Sequence, residues 1–260
     1  MNWFEALVLG IVQGITEFLP ISSSGHLQIG ATLFDINGKD NMAFVIVVHA
    51  ATVCSTIIVF RKVIIKLLTG LFKFRWNNET EYIAKLIVSM IPIAIVGVFF
   101  KSQIEAIFGS GLIIVGICLL VTALLLIFAH YAKSRIKKKI SFFDSFIIGI
   151  AQAMATLPGL SRSGSTITTG LLLGNEKENI AQFSFLMVLA PIIGEIMLDL
   201  YKGGFSEVMS ISNTTLIIGF IGAFISGLLA CRIMLSIVKR GKLIWFAVYC
   251  IAVGILALAL

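Results

Sequence analysis

The first candidates for chemistry are Gln13 and Glu17, two polar residues inside an apolar stretch near the start of the chain. Their spacing puts them on one face of a helix. A charged side chain at membrane depth is unfavourable by about 2.5–3.5 kcal/mol or more, so Glu17 needs either a partner or a task. We expect a functional role for Glu17. The alternative is a structural role, as a cap or as a buried ion pair with Arg162.

A short polar segment follows that stretch, and its residues suit anion binding and nucleophilic attack. It contains, in order, Ser22, Ser23, Ser24, Gly25 and His26. Small residues let backbone N–H groups point into one concavity, and a following helix adds its positive N-terminal end. A serine beside a histidine is also the minimum arrangement for an activated nucleophile. Ordinary turn formation is the alternative explanation of this segment.

A second polar segment lies in the other half of the chain, and it carries a basic residue. It contains Ser161, Arg162, Ser163, Gly164 and Thr166. The planar guanidinium of Arg162 suits bidentate contact with phosphate oxygens, and nearby hydroxyls and N–H groups would complete a cradle. Together the two segments supply an acid, a serine, a histidine and an arginine. This combination indicates phosphoryl transfer.

Two features of this chemistry stay open at the level of sequence. The attacking group is either Ser23 or an activated water, and the base is either His26 or Glu17. The residues expected to bind the substrate around them are Gln13, Ser22, Ser24, Gly25, Ser161, Ser163 and Thr166. His49 is a weaker candidate, because a hydrogen-bonded structural role inside its apolar span is at least equally expected.

The composition indicates that membrane helices hold these residues. The chain of 260 residues is 58% hydrophobic and 13% charged, whereas soluble domains are about 45–50% apolar and about 25% charged. The net charge of +7 lies mainly in short loops between apolar runs, a pattern of membrane orientation rather than of nucleic-acid binding. We therefore predict an all-α integral membrane protein, and a lipid-linked phosphate is its natural substrate.

Six apolar runs are long enough to cross about 30 Å of hydrocarbon. They cover residues 43–60, 83–100, 111–130, 180–200, 214–236 and 243–260. Two further stretches, 3–33 and 143–173, are broken in the middle by proline, serine and glycine, and each half is too short to span. Non-helical backbone at that depth needs protein or a water-filled cavity around it. We predict two re-entrant helix–loop–helix hairpins beside the six transmembrane helices.

The distribution of Lys and Arg predicts the orientation. The loops 34–42, 101–110 and 201–213 share one side of the membrane, and their basic residues are Lys39, Lys101 and Lys202. Most of the other basic residues lie on the opposite side, which the positive-inside rule makes cytoplasmic. Both termini then face outside.

The two broken stretches resemble each other at a constant separation of 139 residues. The matched positions are Gly10 with Gly149, Gln13 with Gln152, and Ser22–Gly25 with Ser161–Gly164. An odd number of crossings separates the hairpins, so the second is inverted relative to the first. We predict one membrane domain, 1–260, made of inverted repeats of approximately 1–130 and 140–260, with the site where the tips meet. Chance similarity of two unrelated hairpins is the alternative.

The segments Gln13–His26 and Pro158–Thr166 resemble those of the bacterial undecaprenyl-diphosphate phosphatase family, the bacitracin-resistance type, and the resemblance covers essentially the whole chain. It implies hydrolysis of undecaprenyl diphosphate to the monophosphate and inorganic phosphate, which recycles the lipid carrier for cell-wall synthesis. It also implies a bacterial plasma-membrane enzyme with its site open to the outside. The family's acid pair, serine, histidine and arginine fall on Gln13, Glu17, Ser23, His26 and Arg162.

The resemblance implies a divalent cation as well, Mg²⁺ or Ca²⁺, with Glu17 as its candidate ligand. Gln13 stands where many members have glutamate, so a diphosphate would have to supply the remaining oxygen ligands. The sequence leaves the oligomeric state open, and a homodimer is compatible with it. The alternative function is a lipid-phosphate transporter or flippase, because broken helices in inverted repeats are typical of secondary transporters.

Overall fold

The protein is built from helices. The computed structural model describes residues 1–36, 38–108, 111–131, 137, 139–201 and 211–260. In chain order the helices are α1 Trp3–Phe18, α2 Ser23–Leu33, α3 Gly38–Leu71, α4 Asn78–Phe99, α5 Lys101–Phe108, α6 Leu112–Tyr131, α7 Phe142–Met154, α8 Arg162–Leu172, α9 Lys177–Met187, α10 Leu189–Asp199, α11 Asn213–Arg240 and α12 Ile244–Ala259.

Within the described residues, five helical segments are long and apolar enough to cross a membrane. They are Ala43–Leu71, Asn78–Phe99, Leu112–Tyr131, Lys177–Asp199 and Asn213–Arg240, and each contains or overlaps a predicted span. The predicted span 243–260 falls on α12, whose 16 residues extend over about 24 Å and are shorter than the others. The chain is therefore a multi-pass integral membrane protein. The number of crossings stays a prediction.

The surface of α6 illustrates how the helices meet lipid. The residues on one side of α6 are buried, and they are Val115, Leu119, Thr122 and Leu126. Those on the other side are exposed although they are large and apolar, and they are Ile113, Ile117, Leu124 and Phe128. An apolar face of this size is unfavourable in water, so it belongs against hydrocarbon chains.

The first predicted hairpin consists of α1 and α2, and its break has a local cause. Leu19 precedes Pro20 and is extended, with φ −74° and ψ 147°, because a residue before proline is pushed out of the helical region. Ser22 then adopts a positive φ of 69° and caps α2, its Oγ accepting a hydrogen bond from Gly25 N–H. The second predicted hairpin, α7 and α8, repeats the serine cap, but its positive φ of 89° falls on Gly159. Ser161 caps α8 by accepting from Gly164 N–H.

A proline also divides the predicted span 180–200 into α9 and α10. Pro191 has no N–H to donate to the carbonyl of Met187, and α9 ends at that residue. Both pieces remain part of one apolar segment, Lys177–Asp199. The sequence pattern had predicted one continuous span here.

The two hairpins pack in equivalent ways against the other half of the chain. Helix α1 packs chiefly on α11, and α7 packs chiefly on α4. A Cβ atom built on Gly10 would lie 2.4 Å from the Gly219 carbonyl oxygen, and one built on Gly149 would lie 2.4 Å from the Ser89 carbonyl oxygen. Glycine is required at both positions, because any side chain would force the backbones apart.

Candidate active site

The tips of the two hairpins touch each other. Ser163 Oγ, on α8, donates a hydrogen bond to the carbonyl oxygen of Leu19 at 3.2 Å. A Cβ built on Gly25 would lie 3.2 Å from Gly159 Cα, and one built on Gly164 would lie 3.3 Å from Pro20 Cβ. The sequence predicted this meeting of the tips, and the distances agree with it.

A carboxylate and two hydrogen-bond donors meet on the first hairpin. Ser23 Oγ donates to Glu17 Oε2 at 2.6 Å, and Gln13 Nε2 donates to the same oxygen at 3.0 Å. Glu17 lies in the last turn of α1. The chain reverses at the break, so α2 begins with Ser23 beside Glu17. A short bond of this kind is typical of a hydroxyl that donates to a carboxylate.

His49, on α3, is the third neighbour of this carboxylate. Its Nε2 lies 3.9 Å from Glu17 Oε2, and its Nδ1–H donates to the Val45 carbonyl oxygen at 2.9 Å. A carbonyl oxygen only accepts, so Nδ1 carries a proton whatever the state of the ring. The Nε2 atom of His49 therefore faces Glu17. From the sequence alone, a purely structural role for His49 was at least equally expected.

Arg162 begins α8 and lines the same cavity as Glu17. Its Nε and Nη1 atoms are buried and have no hydrogen-bond partner among the described residues. The structure therefore does not support the alternative in which these two nitrogens bond Glu17. A guanidinium that is buried with free N–H groups suits an incoming anion.

The cavity between these groups has an empty volume of about 410 Å³, counted with its open mouth. Its polar lining consists of Glu17, Thr52, Thr56, Arg162, Ser163, Thr166 and Ser184. Its apolar lining consists of Phe18, Val53, Phe185, Val188, Leu189 and Ile192. A charged end beside an apolar wall fits a lipid with an anionic headgroup.

His26 is directed away from this cluster. Its Nδ1–H donates to the Ser22 carbonyl oxygen at 2.7 Å, and Nε2 lies 2.8 Å from the Tyr249 hydroxyl of α12. The two rings are stacked, with centroids 5.6 Å apart. Both ring nitrogens are therefore engaged, and neither bonds Ser23 or Glu17. This geometry favours Glu17 over His26 as the base, and the catalytic role of His26 stays a prediction.

Several residues predicted to bind substrate already have structural partners. Ser22 and Ser161 cap α2 and α8. Their Oγ atoms accept hydrogen bonds from the N–H groups of Gly25 and Gly164. Ser24 Oγ lies 3.3 Å from Ser22 Oγ, and Thr166 Oγ1 donates to the Arg162 carbonyl oxygen. Of this predicted set, Ser163 and Thr166 line the cavity. Their role in binding stays a prediction.

Four polar residues that line the cavity or bond a predicted site residue were not predicted from the sequence. Thr52 and Thr56 lie on the His49 face of α3, Ser184 lies in α9, and Tyr249 lies in α12. Their signal in the sequence is weak, because single hydroxyls inside apolar helices are common. The spacing 49, 52, 56 is nevertheless that of one helix face, and it continues the polar side of the cavity.

These features define a class: a multi-pass membrane protein in which two helix breaks bring a carboxylate, a hydroxyl and a guanidinium to one partly apolar cavity. The chain belongs to the bacitracin resistance protein BacA family, whose model matches residues 6–256. It is 60% identical over 260 residues to an undecaprenyl-diphosphatase of Bacteroides fragilis, covering 99% of this chain and 98% of the relative. An undecaprenyl-diphosphatase of Methanococcus vannielii is 40% identical over 251 residues, or 95% of both chains.

Proposed function

We propose that this chain hydrolyses undecaprenyl diphosphate to undecaprenyl phosphate and inorganic phosphate. This reaction recycles the lipid carrier for cell-wall synthesis and confers resistance to bacitracin. Family membership and the names of the relatives support the activity. The observation that carries the mechanism is the 2.6 Å hydrogen bond from Ser23 to Glu17, whose carboxylate shares a cavity with Arg162.

In the proposed reaction, Glu17 is the general base. The proton of Ser23 already points at its carboxylate, so it can pass to Glu17 as Ser23 Oγ attacks the terminal phosphorus. The bond from that phosphorus to the bridging oxygen breaks, and undecaprenyl phosphate leaves. Water then hydrolyses the phosphoserine, which releases inorganic phosphate and restores Ser23. In the second route a water, held by Ser23 and deprotonated by Glu17, attacks phosphorus directly.

Arg162 neutralises the charge of the diphosphate in either route. Its buried Nε and Nη1 groups have no competing partner in the described part of the chain, so they need no rearrangement before they bind phosphate oxygens. The apolar wall of Phe185, Val188 and Leu189 would take up the first part of the prenyl chain. A lipid diphosphate therefore matches this cavity better than a soluble phosphate ester does.

A divalent cation, Mg²⁺ or Ca²⁺, is part of the proposal. Among the described residues no cluster of three or more His, Cys, Asp or Glu side chains is formed, so a site made by protein alone is not supported. Glu17 offers a carboxylate, and Gln13 Oε1 is a hard oxygen that is buried without a partner in the described part. These two residues would hold the cation together with diphosphate oxygens. The cation would offset phosphate charge.

The proposed topology has six transmembrane helices and two re-entrant hairpins in inverted repeats, with both termini and the site facing outside the plasma membrane. The equivalent packing of α1 on α11 and of α7 on α4 supports the repeat. The distribution of Lys and Arg supports the orientation. The cavity lining runs along the span 180–200 from Ser184 to Ile192, so the cavity lies near the middle of this span in the proposed topology.

The test is release of inorganic phosphate from a C15 or C55 prenyl diphosphate by the purified protein in detergent. We expect turnover by wild type, its loss in Glu17→Gln, and no loss in Glu5→Gln. Glu5 is a matched control, since it lies in the first turn of the same helix and its carboxylate accepts hydrogen bonds from Asn2 in a capping box. Movement of the lipid across vesicles without phosphate release would instead favour the transporter.

A further inference from the structure

Three buried hydroxyls, on Ser165, Thr168 and Ser184, have no hydrogen-bond partner among the described residues, and of these three Ser184 lines the cavity. Thr56 donates to the Thr52 carbonyl oxygen, Ser89 to that of Leu86, and Thr122 to that of Cys118, as hydroxyls in apolar helices usually do. Ser184 lies in α9 between Phe183 and Phe185 and is 3% exposed. Its Oγ has no hydrogen-bond partner in the part of the chain that the structure describes.

The free hydroxyl is located where a ligand could bind it. Ser184 lines the cavity that also holds Glu17 and Arg162. The buried Nε and Nη1 groups of Arg162 likewise lack a partner among the described residues. Unsatisfied donors from α8 and α9 therefore line one cavity. Buried polar groups in native proteins are normally paired, so an exception of this kind calls for a missing partner.

The chemistry of that partner is constrained by the lining. It must carry several acceptor oxygens, because it has to satisfy a hydroxyl and two guanidinium N–H groups. An anion is the best match, because its oxygens would accept from all three groups and bring negative charge to the Arg162 guanidinium. Along α9 and α10, the residues that follow on the same face, Val188 and Ile192, are apolar and also line the cavity. A lipid whose anionic headgroup binds Ser184 and whose apolar chain lies against Val188 and Ile192 matches both the polar and the apolar parts of the lining.

We propose that Ser184 is a substrate-binding residue, whose hydroxyl donates to a diphosphate oxygen alongside Arg162. This inference deepens the proposed function and rests on it for the identity of the lipid. It also makes α9 a wall of the phosphate site, so that the headgroup is held between the first hairpin, the second hairpin and a transmembrane segment. Ser184 has no part in proton transfer, and its contribution is to binding.

The experiment uses the purified full-length protein, with sodium pyrophosphate as the probe of binding and C15 prenyl diphosphate as the substrate. Ser184→Ala is compared with wild type and with Ser89→Ala. Ser89 is the matched control because it is an equally buried helix serine, but its Oγ bonds its own helix and does not line the cavity. Thermal unfolding is measured with and without pyrophosphate, and KM and kcat are measured separately.

We expect Ser184→Ala to unfold without ligand at the wild-type temperature or slightly above it, because no internal hydrogen bond is lost. The rise in Tm caused by pyrophosphate should shrink, and KM should increase roughly tenfold with kcat little changed, as for one lost hydrogen bond to a charged group. Ser89→Ala should instead lower Tm and leave KM unchanged.

Three results would overturn the assignment of Ser184. They are an unchanged KM with a full pyrophosphate effect, a ligand-free Tm that falls as in Ser89→Ala, or a wild-type Tm that pyrophosphate does not raise. The proposed function fails separately, if wild type binds pyrophosphate but releases no phosphate from the lipid. In that case the comparison of pyrophosphate binding still decides the role of Ser184.

Discussion

Ser23 Oγ lies 2.6 Å from Glu17 Oε2, closer than any other donor to that carboxylate among the described residues. The two residues belong to different helices, and Pro20 makes their approach possible by ending the first of them. The hydroxyl is therefore aligned with its proton acceptor before substrate arrives. Such alignment lowers the reorganisation that the chemical step requires.

This pairing predicts strongly non-additive kinetics. Ser23→Ala and Glu17→Gln should each lower kcat/KM by about 10³-fold or more, because each removes one half of a single proton-transfer unit. The double variant should be only slightly worse than the poorer single variant. Phosphate release from the C15 substrate measures all three. Independent, multiplying losses would show that Ser23 and Glu17 do not act together.

The nature of the guanidinium predicts a difference between two variants of Arg162. Arg162→Lys keeps the positive charge but loses the planar fork, and Arg162→Ala loses both. We expect a loss in kcat/KM of about 10²-fold for the lysine variant and about 10³-fold or more for the alanine variant. A lysine variant with wild-type activity would mean that charge alone is needed, and that the two buried N–H groups do not bind phosphate.

The hydrogen bond between His26 and Tyr249 predicts a stability effect. Tyr249→Phe preserves the stacked ring but removes the hydroxyl that His26 Nε2 binds, so unfolding should become easier by about 1 kcal/mol. Activity should fall less than in Glu17→Gln, because the effect reaches Ser23 only through the Ser22 backbone. Thermal unfolding and steady-state kinetics of the same preparations measure both. If His26→Ala folds normally and is as inactive as Glu17→Gln, the histidine has a direct catalytic role instead.

The sequence predicted the parts of this site that depend on local spacing. The shared face of Gln13 and Glu17 follows from helical periodicity, and their hydrogen bond confirms it. Tyr249 and Ser184 could not be found in this way, since their link to the site is a packing of distant helices that no local pattern encodes. The division of the span 180–200 was also missed, although Pro191 was a signal for it. The apolar residues on both sides of Pro191 make the segment long enough for one span, and the prediction followed that length.

The close approach of the hairpins to their neighbours predicts which glycines tolerate a methyl group. Gly10→Ala and Gly149→Ala should each destabilise the protein by roughly 1–3 kcal/mol, because the new Cβ would overlap a backbone oxygen that cannot move freely. Gly97→Ala is the control, since a Cβ there meets no atom within 4 Å among the described residues. Thermal unfolding in one detergent compares them. Equal Tm values for all three would contradict the packing of α1 on α11 and of α7 on α4.

The proposed cation predicts a gain of metal affinity from one substitution. Chelation by EDTA should abolish phosphate release by wild type, and added Mg²⁺ or Ca²⁺ should restore it. Gln13→Glu would place a second carboxylate four residues before Glu17, so it should reach half-maximal activity at a lower cation concentration. Gln13→Ala should reach half-maximal activity at a higher cation concentration than wild type, because it removes the buried amide oxygen that has no partner among the described residues. If the three proteins share one cation dependence, Gln13 does not hold the metal. If EDTA has no effect on wild type, neither Gln13 nor Glu17 holds a metal. Arg162 would then be the principal group that offsets the charge of the diphosphate.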